Sequence, residues 1–109
     1  MPIQLGFSPD RLNIQLSRFS DFVAALIYDG GVWPDGTVIE LRFYPTNSAT
    51  SAAVTWPATI TAERADWHVD NLVVASDVLD ARNDIARLFY DDGAGTELEW
   101  ALGSVRDTK

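Results

Sequence analysis

The stretch that most constrains the fold is residues 28–45, YDGGVWPDGTVIELRFYP, which combines turn residues, a tryptophan and a clear strand pattern. From Thr37 onward apolar and polar residues alternate, which is the period of two expected of a strand with one buried face. Turn-forming residues stand on both sides of Trp33, so we predict the centre of a β-hairpin, with this ring closing one end of a core. The side chains predicted to share the strand's uncharged face are Thr37, Ile39, Leu41 and Phe43.

Two strands are predicted before this hairpin. Residues 12–17, LNIQLS, alternate and indicate a half-buried strand of an antiparallel sheet. Residues 22–28, FVAALIY, are almost all apolar, as in a central strand covered on both faces. Periodicity alone leaves a short buried helix open for this run, but its length and the turn residues after it favour the strand.

Further strand patterns occupy residues 54–62, 66–70, 85–90 and 97–102. Pro57 places the first of them at a sheet edge or a bulge, because proline cannot donate to a strand ladder. In the last one, the alternation predicts that Leu98, Trp100 and Leu102 face the core, whereas Glu97, Glu99 and Ala101 face water.

One short helix is predicted over residues 76–82, with Ser76 as its N-cap and Asn83 as its stop. Apolar side chains at Val74, Val78 and Leu79 would lay it across an open end of the strands. Short strands, regular turns and a single helix predict an all-β fold, an antiparallel β-sandwich of about seven strands.

The domain organisation that we predict is an N-terminal extended arm at residues 1–10, followed by the sandwich at residues 11–109. The arm carries an alternating trio before a stop at Ser8-Pro9-Asp10, and it is either an edge strand of the same domain or an arm that pairs with a neighbouring subunit. The trio consists of Ile3, Leu5 and Phe7.

Charge and composition narrow the function classes. A net charge of −8 argues against binding to a nucleic-acid backbone. The chain contains no cysteine, which excludes disulfides and thiolate metal sites and agrees with synthesis in a reducing cytoplasm. The first residues lack the pattern of a secretory signal, and no apolar run approaches the roughly 20 residues of a membrane-spanning helix. We therefore expect neither nucleic acid nor a membrane as a partner.

Four features of the sequence are candidate sites. The tryptophans Trp33, Trp56, Trp67 and Trp100 suggest either core packing or a platform for sugar rings. Acidic turns at residues 29–30 and 91–93 lack the ligand spacing of a calcium loop, and the lone His68 makes neither a metal cluster nor a triad. Glu97 and Glu99 share a strand face, but exposed glutamates of this kind are typical of a solvated surface, so no enzyme is predicted and no cofactor is expected.

The chain resembles the LtfC-like β-sandwich domain of structural proteins of tailed bacteriophages, especially those of actinobacteria. The resemblance spans nearly the whole chain, and the order and spacing of several short motifs carry it. These motifs are DFV at 21–23, DGGVWPDGT at 29–37, ELRF at 40–43, WPA at 56–58, ADW at 65–67, ARLFY at 86–90 and EWA at 99–101.

The resemblance implies a virion component without catalysis, made in the host cytoplasm. We expect a small capsid-decoration or minor capsid subunit that assembles with copies of itself and with the major capsid or tail proteins. Sheet edges and the arm would make the contacts, and the candidate interface residues are Ile3, Leu5, Phe7, Trp33 and Trp56. A tail, head–tail connector or baseplate adaptor is the alternative within this class, and a carbohydrate-binding module with a glycan ligand is the alternative from another.

Overall fold

The fold is a sandwich of two β-sheets in a computed structural model that describes residues 10–28, 31–93 and 95–107. The strands are β1 (Asp10–Leu16), β2 (Phe22–Ile27), β3 (Val38–Tyr44), β4 (Val54–Pro57), β5 (Thr59–Thr61), β6 (Arg64–Val69), β7 (Ile85–Asp91) and β8 (Glu97–Asp107). They form a five-stranded sheet in the order β1-β8-β7-β3-β4 and a three-stranded sheet in the order β2-β6-β5. The predicted β-sandwich is therefore confirmed.

The core lies between the two sheets, and β3 supplies its centre. Ile39, Leu41 and Phe43 are all buried, as their alternation predicts. From the three-stranded sheet, Ala65 and Trp67 on β6 belong to the same cluster. Full burial of a large apolar side chain contributes about 1.5–3 kcal/mol relative to exposure, so this shared cluster is what holds the sheets face to face.

The predicted β-hairpin around Trp33 is wrong, because β2 and β3 belong to different sheets. After β2 the chain first follows the three-stranded sheet, where the amides of Tyr28 and Trp33 donate to the carbonyls of Glu63 (2.8 Å) and Ala62 (3.0 Å). It then crosses to the five-stranded sheet at β3. Trp33 is buried at this crossing, as predicted for a ring that closes one end of the core.

The first strand is present where predicted, with Ile14 and Leu16 buried, but its direction is not the predicted one. β1 pairs with β8 in parallel, whereas every other pairing among the described strands is antiparallel. Alternation fixes which face of a strand is buried and carries no information on the direction of its neighbour. Of the predicted arm, Asp10 begins β1, and residues 1–9 lie outside the described residues.

The helical segment begins earlier than predicted. α1 (Asn71–Val74) continues into a π-helical turn at Ala75–Leu79, and its N-cap is Asp70, whose carboxylate accepts a hydrogen bond from the Leu72 amide. Ser76 therefore lies inside the segment instead of capping it. The predicted packing is confirmed, since Val74, Val78 and Leu79 are buried. Asn83 follows the segment and donates its side-chain amide to the carbonyl of Asp77 at 2.7 Å.

β8 departs from simple alternation at a bulge. Leu88 pairs with Ala101, but Phe89 pairs with Glu99, so Trp100 is the extra residue. An extra residue shifts the phase of the side chains that follow it. Ala101 is consequently buried, and the prediction that it faces water is wrong. At the opposite side of this sheet, β4 with Pro57 is an edge strand, as predicted.

Candidate assembly surface

Strand β2 lies at an edge of the three-stranded sheet and pairs with β6 alone among the described strands. Its six residues, FVAALI, alternate between half-buried and exposed positions. The prediction of a central strand covered on both faces is therefore wrong. One face of β2 packs on the core, and the other face is uncovered although it is also apolar.

The uncovered face of β2 carries Val23, Ala25 and Ile27. Val23 is 68% exposed and Ile27 is 59% exposed, which is unusual for two β-branched residues in regular structure. A single exposed apolar side chain needs no explanation, whereas a continuous apolar row along a sheet edge is a typical contact surface. The sequence signal for this surface is an apolar run without any charged residue, and the same pattern also predicts a strand buried within the chain.

The neighbouring row of the same face, on β6, is polar. His68 stands opposite Val23, Asp66 opposite Ala25 and Arg64 opposite Ile27. Arg64 and Asp66 neutralise each other in an ion pair of 2.9 Å. The apolar surface is thus limited to the free edge itself.

One end of this edge is fixed by Asp21. Its carboxylate contacts Nε2 of His68 at 2.9 Å and accepts a hydrogen bond from the backbone amide of Asn71 at 2.9 Å. The hydrogen bond with His68, followed by that from Asn71, lowers the pKa of Asp21. These contacts join the start of β2 to β6 and to α1, so the edge strand is held in place although no described strand pairs with its outer side.

The outer face of the five-stranded sheet is charged and internally paired. Arg42 donates to Glu97 through both terminal nitrogens at 3.0 and 3.1 Å and to Glu40 through Nε at 2.7 Å. Its guanidinium also lies 4.0 Å from the centre of the Phe89 ring. The hydrogen bond with Glu97 raises the pKa of Arg42, and the same contact lowers the pKa of Glu97. This face therefore differs in character from the apolar edge at β2.

The two glutamates that share a strand face each bind a different arginine. Glu97 pairs with Arg42, and Glu99 pairs with Arg87. Each carboxylate therefore accepts hydrogen bonds from its own arginine. The two do not form a free carboxylate pair in one cleft, as glycoside hydrolysis requires. No group of three His, Asp or Glu side chains in the described part of the chain has the geometry to hold a metal ion. In the acidic turn, Asp91 and Asp92 accept the amides of Gly93 and Thr96, which is ordinary turn chemistry.

The tryptophans are part of the chain's own packing. Trp33 stacks on Tyr28 with ring centroids 4.7 Å apart, and Trp100 stacks on Tyr90 at 4.5 Å. Trp56 is 5% exposed and contacts Phe43, with their centroids 4.5 Å apart. Buried rings offer a sugar no open face, so the platform interpretation is wrong for Trp33 and Trp56. A direct partner contact through either ring stays a prediction that this burial does not favour.

The other predicted interface residues, Ile3, Leu5 and Phe7, lie outside the described residues. The structure therefore brings none of the predicted interface residues to the apolar edge. The apolar edge consists instead of Val23, Ala25 and Ile27, which are not among the predicted interface residues.

A polar depression lies at another place on the surface. It has a volume of about 470 Å³ and is lined by Arg18, Leu79, Asp80, Arg82, Asp84, Val105 and Asp107. Arg18 bridges Asp80 at 3.1 Å and Asp107 at 3.3 Å, so its charge is already satisfied within the chain. These contacts join the turn after β1 to the helical segment and to the end of β8. The depression is thus explained by structural ion pairing.

In the part of the chain that the structure describes, no helix has the length and apolar character needed to span a membrane. Comparison with family models matches residues 8–108 to the family described as LtfC-like, beta-sandwich domain. The match confirms the resemblance predicted from the motifs and agrees with the observed sandwich. The comparison with curated proteins gave no match.

Proposed function

Because the chain belongs to the LtfC-like beta-sandwich domain family, we propose that it is a non-enzymatic structural protein of a bacteriophage virion, made in the host cytoplasm. It decorates the capsid as a small minor subunit and contacts copies of itself and the major capsid protein. The phage assignment rests on the family resemblance. The mode of action, assembly through sheet edges, rests on the open apolar edge at β2.

The β2 edge is the observation that carries this proposal. A strand edge presents backbone amides and carbonyls to any partner that adds a strand, and natural proteins protect such edges unless they are used. Val23 and Ile27 add exposed apolar area to those backbone groups. A subunit whose task is to be held in place by its neighbours needs a surface of this kind.

The N-terminal arm is the second proposed contact. Ile3, Leu5 and Phe7 alternate in the sequence, so in an extended chain they would share one face and anchor the arm on a neighbouring protein. Replacing all three by serine should prevent incorporation into particles. The matched control is Gln4→Ser, which changes the intervening position. Equal incorporation of both variants, with unchanged circular dichroism, would remove the arm from the proposal.

Copy number tests the proposed location. Quantitative mass spectrometry of purified particles, referenced to the major capsid protein, should give a sizeable fraction of the capsid protein's copies. A handful of copies in a ring would instead indicate the tail, a head–tail connector or a baseplate adaptor. Complete absence from particles would overturn the proposal.

A further inference from the structure

Among the described residues, the two sheets have four edge strands, which are not equally suited to pairing with another strand. β4 has four residues and ends in proline, β5 has three residues, and β1 begins with the charged pair Asp10-Arg11 in its sequence. Short length, proline and charge are the features by which natural proteins block strand addition at an edge. β2 has six residues and none of these features. The β2 edge is therefore the one best suited to receive another strand.

We propose that β2 pairs in antiparallel orientation with β2 of a second copy of this chain, so that the two three-stranded sheets become one continuous sheet. The inference deepens the proposed function, on which it rests for its biological setting, by naming the edge and the partner. The pairing itself is a property of the purified chain and is tested without particles.

The side-chain pattern of β2 selects the register of this pairing. In an antiparallel pair, side chains that lie directly opposite each other are on the same face of the sheet. A two-fold axis also keeps each residue of β2 on the same face in both copies. A symmetric pairing is therefore centred on one residue of β2, which lies opposite itself. Centring on Ala25 places Val23 opposite Ile27 of the partner subunit, and Ile27 opposite Val23 of the partner subunit. Centring on Ala24 or Leu26 leaves one of these large side chains opposite a residue outside β2. The apolar rows of two copies therefore match best about Ala25.

The charge distribution also favours β2 as the contact between two copies of the chain. Each chain carries a net charge of −8, so two copies repel each other over most of their surfaces. β2 contains no charged residue; on the same face Arg64 and Asp66 cancel in their own ion pair, and Asp21, which precedes β2, contacts His68 at 2.9 Å. Contact through β2 therefore brings together no like charges of the paired strands themselves.

The absence of cysteine makes a direct test possible, because a single introduced thiol reports one contact. In the proposed register two Ala25→Cys chains place their Cα atoms about 4.5–5.5 Å apart, within the range of about 4.4–6.8 Å that a disulfide spans. Mild oxidation of the purified full-length variant should give a covalent dimer. The matched control is Thr61→Cys, at an exposed position of β5, the other edge of the same sheet.

Paired thiols react at an effective concentration on the order of millimolar, so at micromolar protein Ala25→Cys should cross-link at least about tenfold faster than Thr61→Cys. Val23→Cys alone should cross-link slowly, whereas a mixture of Val23→Cys and Ile27→Cys should cross-link rapidly. Circular dichroism before oxidation checks that each variant is folded. Equal rates for Ala25→Cys and Thr61→Cys would overturn the proposal, and equal rates for Ala25→Cys and Val23→Cys would overturn the register.

Other occupants of the edge give different results. If β2 receives the N-terminal arm of a neighbouring copy, full-length Ala25→Cys will cross-link no faster than Thr61→Cys, which contradicts pairing between two β2 strands. If β2 receives a different virion protein, Ala25→Cys will cross-link to that protein in particles and stay monomeric when purified, which also contradicts it. Failure of the proposed function would appear separately, as absence of the chain from particles.

Discussion

The indole Nε1 of Trp67 on β6 donates a 2.8 Å hydrogen bond to the backbone carbonyl of Trp56 on β4, and this buried bond joins the two sheets. It links the edge strand β4 of the five-stranded sheet to β6, the central strand of the three-stranded sheet. Trp67 is therefore a structural residue with a polar as well as an apolar role.

Replacing Trp67 by phenylalanine should destabilise the fold more than the same change at Trp33. Both rings are buried, but Nε1 of Trp33 has no hydrogen-bond partner among the described residues, so Trp33→Phe loses only volume. Trp67→Phe also removes the hydrogen bond to the Trp56 carbonyl, and the net loss of such a bond costs about 0.5–1.5 kcal/mol. Urea unfolding of both variants measures the difference, and equal free energies of unfolding would show that the bond adds nothing.

A close backbone approach requires glycine at position 93. A Cβ built on Gly93 lies 2.7 Å from the carbonyl oxygen of Gly36, and the φ angle of Gly93 is +80°. Gly95 in the same loop has a φ angle of +98° and no atom within 4 Å of its Cβ position, so Gly95→Ala controls for positive φ alone.

Strain at positive φ costs about 1–3 kcal/mol, so Gly95→Ala should lower the free energy of unfolding by an amount in this range. Gly93→Ala should cost at least about 1 kcal/mol more, because the backbone of the turn before β3 must move. Thermal unfolding of the two variants tests this contact. A larger loss for Gly95→Ala would contradict the close approach of the two loops.

The contact between Asp21 and His68 predicts a dependence of stability on pH. The pKa of Asp21 is lower in the folded chain than its ordinary value of 3.8, so its contribution is present above that value and is lost as pH falls through the folded-state pKa. Asp21→Asn keeps an acceptor for the Asn71 amide but removes the charge. The variant should be less stable than the original chain near neutral pH.

As pH falls below the ordinary aspartate pKa, the difference between Asp21→Asn and the original chain should shrink towards zero. Urea unfolding as a function of pH measures it. A difference that stays constant down to acid pH would show that the charge of Asp21 contributes nothing and that only its geometry matters.

The sequence predicts correctly which face of a strand is buried when the other face carries polar residues. In β3 the alternation around Leu41 identified both faces, and the structure confirms them. In β2 both faces are apolar, and such a run has the same pattern whether its outer face is covered by its own chain or by another molecule. For that reason the sequence predicted a central strand, and the candidate surface was missed.

The other differences between prediction and structure have separate causes. The parallel partner of β1 is a long-range choice that alternation does not encode. The bulge at Trp100 shifts the side-chain phase within β8 by one residue, and this reverses the predicted orientation of Ala101. The strand predicted at residues 66–70 includes Asp70, which in the structure caps the helical segment, so this segment starts earlier than predicted.

Amide hydrogen exchange across β2 tests most directly whether its free edge is covered in the assembled state. Exchange is measured for the free chain at high dilution and for the chain within purified particles, with β5 as the internal comparison. In a paired strand alternate amides point to each neighbour, so the outward half of the β2 amides should exchange rapidly in the free chain and slowly in particles, with β5 unchanged. Identical exchange of β2 in both samples would contradict assembly through this edge.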